Sequence, residues 1–94
     1  MNLPVQYEGF VVFASSRVYT FHVTDALQQG RQYTVKIATE SFRSTPLKFQ
    51  DGPAISYERI KQELAGESPA KAQLEISAQD IEEYIKRHYP RKRP

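Results

Sequence analysis

"RVYTFHVT", residues 17 to 24, is the stretch of sequence that decides the fold. Its apolar and polar side chains alternate, and this period of two is typical of a β-strand with one buried face. "QYTVKIAT", residues 32 to 39, repeats the pattern, so the two stretches predict neighbouring strands. The side chains that we expect to be buried are Tyr19, Phe21, Val23, Tyr33, Val35 and Ile37.

Short connections join these strands to each other and to a third strand. Residues 25 to 30 are few enough for a hairpin and end in Gly30, which can adopt a positive φ. "FVVFA", residues 10 to 14, predicts the third strand, and Ser15 and Ser16 fit a tight turn after it. The three strands are therefore expected to form an antiparallel meander.

The first predicted helix follows an irregular stretch. Residues 40 to 54 contain two prolines and a glycine, which argue against a long element. Ser56 is a suitable N-cap for the helix, and Gly66 fits the position after its last turn. The residues that share one face of this helix are Tyr57, Ile60, Lys61 and Leu64.

The last helix carries the clearest signals. It follows a short fourth strand predicted at residues 72 to 77, and Ser77 fits its N-cap. The carboxylate of Asp80 stands in the first turn, where it favours the positive end of the helix. Ile76 and Ile81 occupy the positions of a hydrophobic staple.

The element order β-β-β-α-β-α predicts an α+β fold. We expect a small antiparallel sheet, made of the three-strand meander and the short fourth strand, with two helices packed on one face. A chain of 94 residues supports one compact domain. Because Pro90 ends the last helix, we expect this domain to span residues 1 to 89 and residues 90 to 94 to form a flexible basic tail.

The composition is that of a folded protein, with 39% hydrophobic and 26% charged residues. Cysteine is absent, which fits a cytoplasmic protein and excludes disulfides and thiolate metal sites. No apolar run reaches the about 18 to 20 residues that span a bilayer, and residues 1 to 7 lack the pattern of a signal peptide. We therefore expect a cytoplasmic protein that does not contact a membrane.

Signatures of catalysis, metals and cofactors are missing from the sequence. His22 and His88 are the only histidines, and neither stands in a ligand motif such as HExxH. No serine occupies a G-x-S-x-G elbow, and the glycines form no phosphate-binding loop. No stretch matches the motif set of a known family. The sequence predicts a protein without enzymatic activity, cofactors or metal.

The charge is distributed unevenly. Residues 1 to 85 carry eight basic and eleven acidic side chains, a net charge of −3, whereas residues 86 to 94 carry five basic side chains and no acidic one. Such a patch can neutralise phosphates or contact an acidic protein surface. The candidate residues for contact with a polyanion or a partner are Lys86, Arg87, Arg91, Lys92 and Arg93.

These observations favour a small binding domain that acts as an accessory or regulatory protein. The alternative is an accessory nucleic-acid-binding protein that uses the basic C-terminal residues. The sequence also contains more large apolar side chains than one small core can hold. The surplus indicates an exposed surface for a protein partner or a homodimer. The residues in question are Tyr7, Phe10, Phe42, Phe49 and Tyr89.

Overall fold

A computed structural model describes residues 4 to 24, 29 to 66 and 71 to 89. The strands are β1 (Val5–Val12), β2 (Ser16–Thr24), β3 (Gly30–Ala38) and β4 (Gln73–Glu75). The helices are α1 (Thr39–Ser44), a 3₁₀ helix (Phe49–Asp51), α2 (Gly52–Ala65) and α3 (Ala78–His88). None of these helices in the described part of the chain is long and apolar enough to cross a membrane.

The predicted α+β class and the order β-β-β-α-β-α are confirmed, with α2 and α3 as the two longer helices. The sheet has the order β1-β2-β3-β4, and β1, β2 and β3 pair antiparallel as expected. β4 pairs parallel to β3, however, so the sheet is mixed and not antiparallel throughout. Parallel neighbours need a long crossover connection, which the helices between β3 and β4 supply.

The stretch between β3 and α2 is more regular than expected, since it holds both α1 and the 3₁₀ helix. α2 begins at Gly52 and not after Ser56, which is fully buried inside the helix. Pro53 stands in the first turn, where its missing N–H costs nothing. Gly66 follows the last turn as predicted, in an extended conformation with φ −70° and ψ 159°.

The core lies between the sheet and the helices. The predicted inward side chains of β2 and β3 are buried, which confirms the register of the alternation. Ile60 from α2 and Ile81 and Tyr84 from α3 pack onto them. Tyr57, expected on the inner face of α2, is 41% exposed instead, because the true inner face runs through Ile55 and Ile60.

α3 begins with the cap that the sequence predicted. The backbone N–H of Asp80 donates to Ser77 Oγ at 3.1 Å, and the backbone N–H of Ser77 donates to Asp80 Oδ2 at 2.9 Å. This reciprocal pair satisfies two backbone donors at the helix start, as in a capping box. Ile76 and Ile81, the two residues of the staple, are both buried.

We expect Ser77→Ala to lower the free energy of unfolding by about 1 kcal/mol, because the N–H of Asp80 loses its acceptor. Urea denaturation would measure the change. Ser44→Ala is the matched control, since the Ser44 hydroxyl donates only to an exposed carbonyl of Glu40 within α1. The control should stay within about 0.5 kcal/mol of the natural protein. Equal effects of both substitutions would contradict the capping role.

Candidate functional site

β1 presents large apolar side chains that the helices do not cover. Val5, Tyr7, Phe10 and Val12 pair with the four residues of β2 that face the helices, so all four lie on the helix side of the sheet. Of the four, Val5 is partly buried and packs against the core. The exposed fractions of the other three side chains are 40% for Tyr7, 49% for Phe10 and 59% for Val12.

A β-bulge at Gly9 places these side chains on one face. The register of β1 against β2 shifts between Tyr7 and Gly9, so Glu8 is an extra residue without its own partner in the ladder. Gly9 adopts a φ of 131°, a conformation that side chains disfavour and glycine tolerates. In a regular strand Phe10 and Val12 would lie on the face opposite to Tyr7. The bulge therefore creates the continuous apolar face.

Rings from neighbouring elements extend this surface. Phe49 of the 3₁₀ helix is 52% exposed, and its ring centroid lies 4.7 Å from that of half-buried Phe42. The guanidinium of Arg17 lies 3.9 Å from the centroid of Phe49 and 4.9 Å from that of Phe10. We call this surface the aromatic shelf, and its members are Tyr7, Phe10, Val12, Arg17, Phe42 and Phe49.

The aromatic shelf rests on the core. The ring of Tyr7 lies 5.2 Å from that of Phe21, and the ring of Phe10 lies 5.5 Å from that of Tyr19. Both inner rings are 1% exposed, so the outer pair stands on a packed support. Such support limits the rotamers of the exposed rings and lowers the entropy that binding would cost.

Arg17 supplies the charge of the aromatic shelf. Among the described residues, no carboxylate forms an ion pair with its guanidinium, which instead lies over aromatic rings. Burial raises the pKa of Tyr19 beneath it, and the positive charge of Arg17 opposes that increase. The aromatic shelf thus combines rings with one cation whose charge the described part of the chain leaves uncompensated.

One edge of the β1 backbone has no neighbouring strand in the described part of the chain. β1 is an edge strand of eight residues, whereas β4 at the opposite edge has only three. An exposed, apolar edge strand offers unpaired N–H and C=O groups to another strand. Val11 and Phe13, 55% and 54% exposed, add apolar surface at this edge. Glu8 is the one charged residue within β1.

The structure separates the predicted polyanion-contact residues into two groups. Lys86 and Arg87 lie on α3, where Lys86 Nζ is 3.3 Å from the carboxylate of Glu82 and Arg87 pairs with Glu58. Arg91, Lys92 and Arg93 lie outside the described residues. The predicted flexibility of residues 90 to 94 therefore stays a prediction. The contact of all five with a polyanion stays a prediction, but two of its cations already have carboxylate partners.

A polar cluster around Asp51 anchors the end of α3. The hydroxyl of Tyr89 donates to both carboxylate oxygens of Asp51, at 2.8 and 2.9 Å, and the backbone N–H of Lys48 donates to Oδ2 at 2.9 Å. The hydroxyl of Tyr84 lies 3.5 Å from Oδ1. Asp51 is buried and accepts hydrogen bonds from three residues, an arrangement that fixes the end of α3.

Metal ligands do not converge in the part of the chain that the structure describes. No group of three or more His, Asp or Glu side chains there could hold a metal ion. His22 lies on the face of the sheet that points away from the helices. Its neighbours on the adjacent strands are Gln6 and Gln32. His88 Nε2 lies 2.8 Å from Glu58 Oε2, so this ring forms a side-chain contact between α3 and α2.

An open groove of about 590 Å³ runs between α3 and the loop after α1. Its walls are mostly apolar and include Pro46, Ile81 and Ile85. Ligand sites for small molecules usually add a few convergent polar groups to such walls. Here the charged groups at the rim, Glu82 and Lys86, pair with each other. The groove therefore combines an apolar wall with charges that already compensate each other.

Comparison with known proteins assigns the chain to no family, since no family model, no curated protein and no solved structure matches it. Its class is defined by fold and surface alone. It is a small α+β domain with an open apolar edge strand and a supported aromatic shelf. The sequence indicated surplus aromatic residues, but the bulge that collects them on one face is a feature of the structure.

Proposed function

We propose that this protein is a non-catalytic interaction domain that binds a protein partner along β1 and the aromatic shelf. The observation that carries the proposal is the exposure of Tyr7, Phe10, Val12 and Phe49 as one surface beside an unpaired strand edge. The domain would act as an accessory or regulatory protein. The absence of cysteine suits a cytoplasmic location, which the proposal adopts.

Strand addition is the mode of binding that this surface favours. A strand of the partner pairs with the open edge of β1 through backbone hydrogen bonds, and every second side chain of that strand rests on the aromatic shelf. The backbone contacts supply affinity, and the rings with Arg17 supply selectivity. A partner strand with alternating apolar residues and one carboxylate near Arg17 would match both.

A photo-crosslinking experiment tests this proposal. Benzoylphenylalanine is placed at Phe10 in one variant and at Tyr57 in the other, two aromatic positions with similar exposed fractions of 49% and 41%. We expect illumination to give protein adducts from position 10 alone. Mass spectrometry of the adducts should map the crosslinked residues to one extended segment of the partner, which is either another protein or a second copy of this chain.

The variant at Tyr57 measures the yield of non-specific crosslinks. Its side chain lies on α2 next to Lys61 and outside the aromatic shelf. Similar yields from both positions would overturn the proposal. So would the absence of adducts from position 10 in lysate of the source cell and in the purified protein.

The alternative is an accessory nucleic-acid-binding role for the basic residues near the C-terminal end. It is supported by the charge split, in which residues 86 to 94 carry five cations against a body of net charge −3. The ion pairs of Lys86 and Arg87 lower the number of cations that are free to release counterions. The interaction domain therefore explains more of the surface.

A further inference from the structure

We infer that the partner of β1 is a second copy of the chain, in a symmetric dimer whose two β1 strands pair antiparallel around a two-fold axis at Gly9. The inference rests on the proposed function and names the partner of that same surface. The observations that carry it are the position of the bulge, the apolar residues on either side of it and the area that they expose.

The face pattern of β1 is symmetric about Gly9. The bulge removes Glu8 from the ladder, so β1 has seven regular positions with Gly9 as the fourth. Counted outward from Gly9, the first position on the two sides is Tyr7 and Phe10, and the third and outermost position is Val5 and Val12. All four lie on the helix side of the sheet.

Antiparallel pairing of two copies about Gly9 therefore places aromatic side chains opposite aromatic ones and valines opposite valines. Tyr7 of one copy stands opposite Phe10 of the second, and Val5 stands opposite Val12. Directly opposed residues of antiparallel strands share a face, and aromatic and β-branched pairs are favourable there. A two-fold axis repeats each of these contacts, as an interface between identical surfaces requires. Without the bulge, Val5 and Val12 would lie on opposite faces and could not pair.

The exposed area is suited to a reversible dimer. An aromatic side chain has an accessible area of roughly 150 to 250 Å², and Tyr7, Phe10, Phe13 and Phe49 are each 40% to 54% exposed. These four rings therefore expose on the order of 400 Å² in each copy. With the valines and the backbone edge, two copies reach the range of about 1,000 Å² that marks a specific interface.

Glu8 limits the affinity of this dimer. The two copies of Glu8 flank the axis at the bulge, where like charges repel. A bulge and a charge are also the usual means by which an edge strand avoids uncontrolled association. We therefore expect a weak and reversible dimer that Glu8→Gln strengthens, and not an open-ended aggregate.

Sedimentation velocity across a dilution series tests the dimer with the purified chain. The natural protein should pass from 10.9 kDa to twice that mass as its concentration rises. Val12→Lys should weaken association by roughly tenfold or more, because two lysines then lie in the apolar interface. Glu8→Gln should tighten it. Tyr57→Lys, which changes an exposed apolar residue outside β1, should leave it unchanged.

Disulfide trapping tests the register, because the natural chain contains no cysteine. A mixture of Val5→Cys and Val12→Cys proteins under a mild oxidant should form linked dimers faster than either protein alone. A dimer that Val12→Lys does not weaken, or equal trapping in the mixture and in the single variants, would overturn the inference.

A chain that remains monomeric at every concentration also overturns the inference. If its Phe10 position still crosslinks to one segment of another protein, the proposed function stands and only the identity of the partner is wrong. If position 10 gives no adduct at all, both fail.

Discussion

Ile81→Ala is expected to lower the free energy of unfolding by about 2 to 5 kcal/mol. The Ile81 side chain is 3% exposed and belongs to the core cluster that joins α3 to the sheet. Truncation to alanine removes apolar contacts and leaves a cavity that the neighbouring Tyr84 can fill only in part. Urea denaturation followed by circular dichroism would give the change.

Ile85→Ala is the matched control for this prediction. Ile85 lies one turn further along the same helix, and its side chain is only partly buried at the edge of the core. Its truncation should cost clearly less than that of Ile81. An unchanged unfolding curve for Ile81→Ala would mean that α3 is not docked on the sheet.

The strands could be predicted from the sequence because each has one buried face. Alternation in residues 17 to 24 and 32 to 39 fixes which side chains point inward, and Tyr19, Phe21 and Val35 are buried as expected. The cap of α3 could be predicted for a local reason. The two hydrogen bonds of this cap join Ser77 and Asp80, which are only three residues apart in the sequence. They therefore form without any tertiary contact.

The start of α2 was predicted wrongly because two signals compete there. Ser56 resembles an N-cap, but Pro53 fits the first turn of a helix that starts four residues earlier than Ser56. Tertiary packing decides between them, since the longer helix buries Ile55 against the core. The direction of β4 likewise depends on the path of α2 across the sheet, which a three-residue strand does not encode.

The candidate site was only partly predictable. Tyr7, Phe10 and Phe49 were recognised as surplus to one core, and all three are exposed. The strand that carries the first two was predicted over residues 10 to 14, whereas it spans Val5–Val12. The alternation of residues 5 to 8 changes phase at Gly9, so residues 5 to 12 do not show one continuous period of two. A glycine inside an apolar run is itself a signal of a bulge. Read that way, it would have joined residues 5 to 12 into one strand with one apolar face.

We expect the protein to lose stability as the pH rises from about 10 to about 12. Burial, followed by the negative charges of Asp51, Tyr89 and Glu58, raises the pKa of Tyr84 to about 12. A tyrosine in an unfolded chain has a pKa of about 10. The folded state therefore keeps its proton at a pH where the unfolded state releases it. This stabilisation is complete below pH 10 and disappears as the pH passes the folded pKa.

The shift of Tyr84 corresponds to a loss of at most about 3 kcal/mol as the pH passes 12. The hydrogen bond of Tyr89 to Asp51 raises the pKa of Tyr89 as well, so its titration acts in the same direction. Urea denaturation at a series of alkaline pH values would measure the loss for the natural protein and for Tyr84→Phe. The variant keeps its ring in the core but has no phenol to titrate, so its stability should decline less steeply.

Tyr57→Phe separates this effect from the general influence of alkali. Tyr57 is exposed on α2 and makes no contact with Asp51, so its loss should leave the alkaline slope as it is in the natural protein. Deprotonation of lysines acts on all three proteins alike and cancels in the comparison. If Tyr84→Phe and the natural protein declined with the same slope, the buried phenol beside Asp51 would not be the group that resists titration, and the packing of α3 against the start of α2 would need revision.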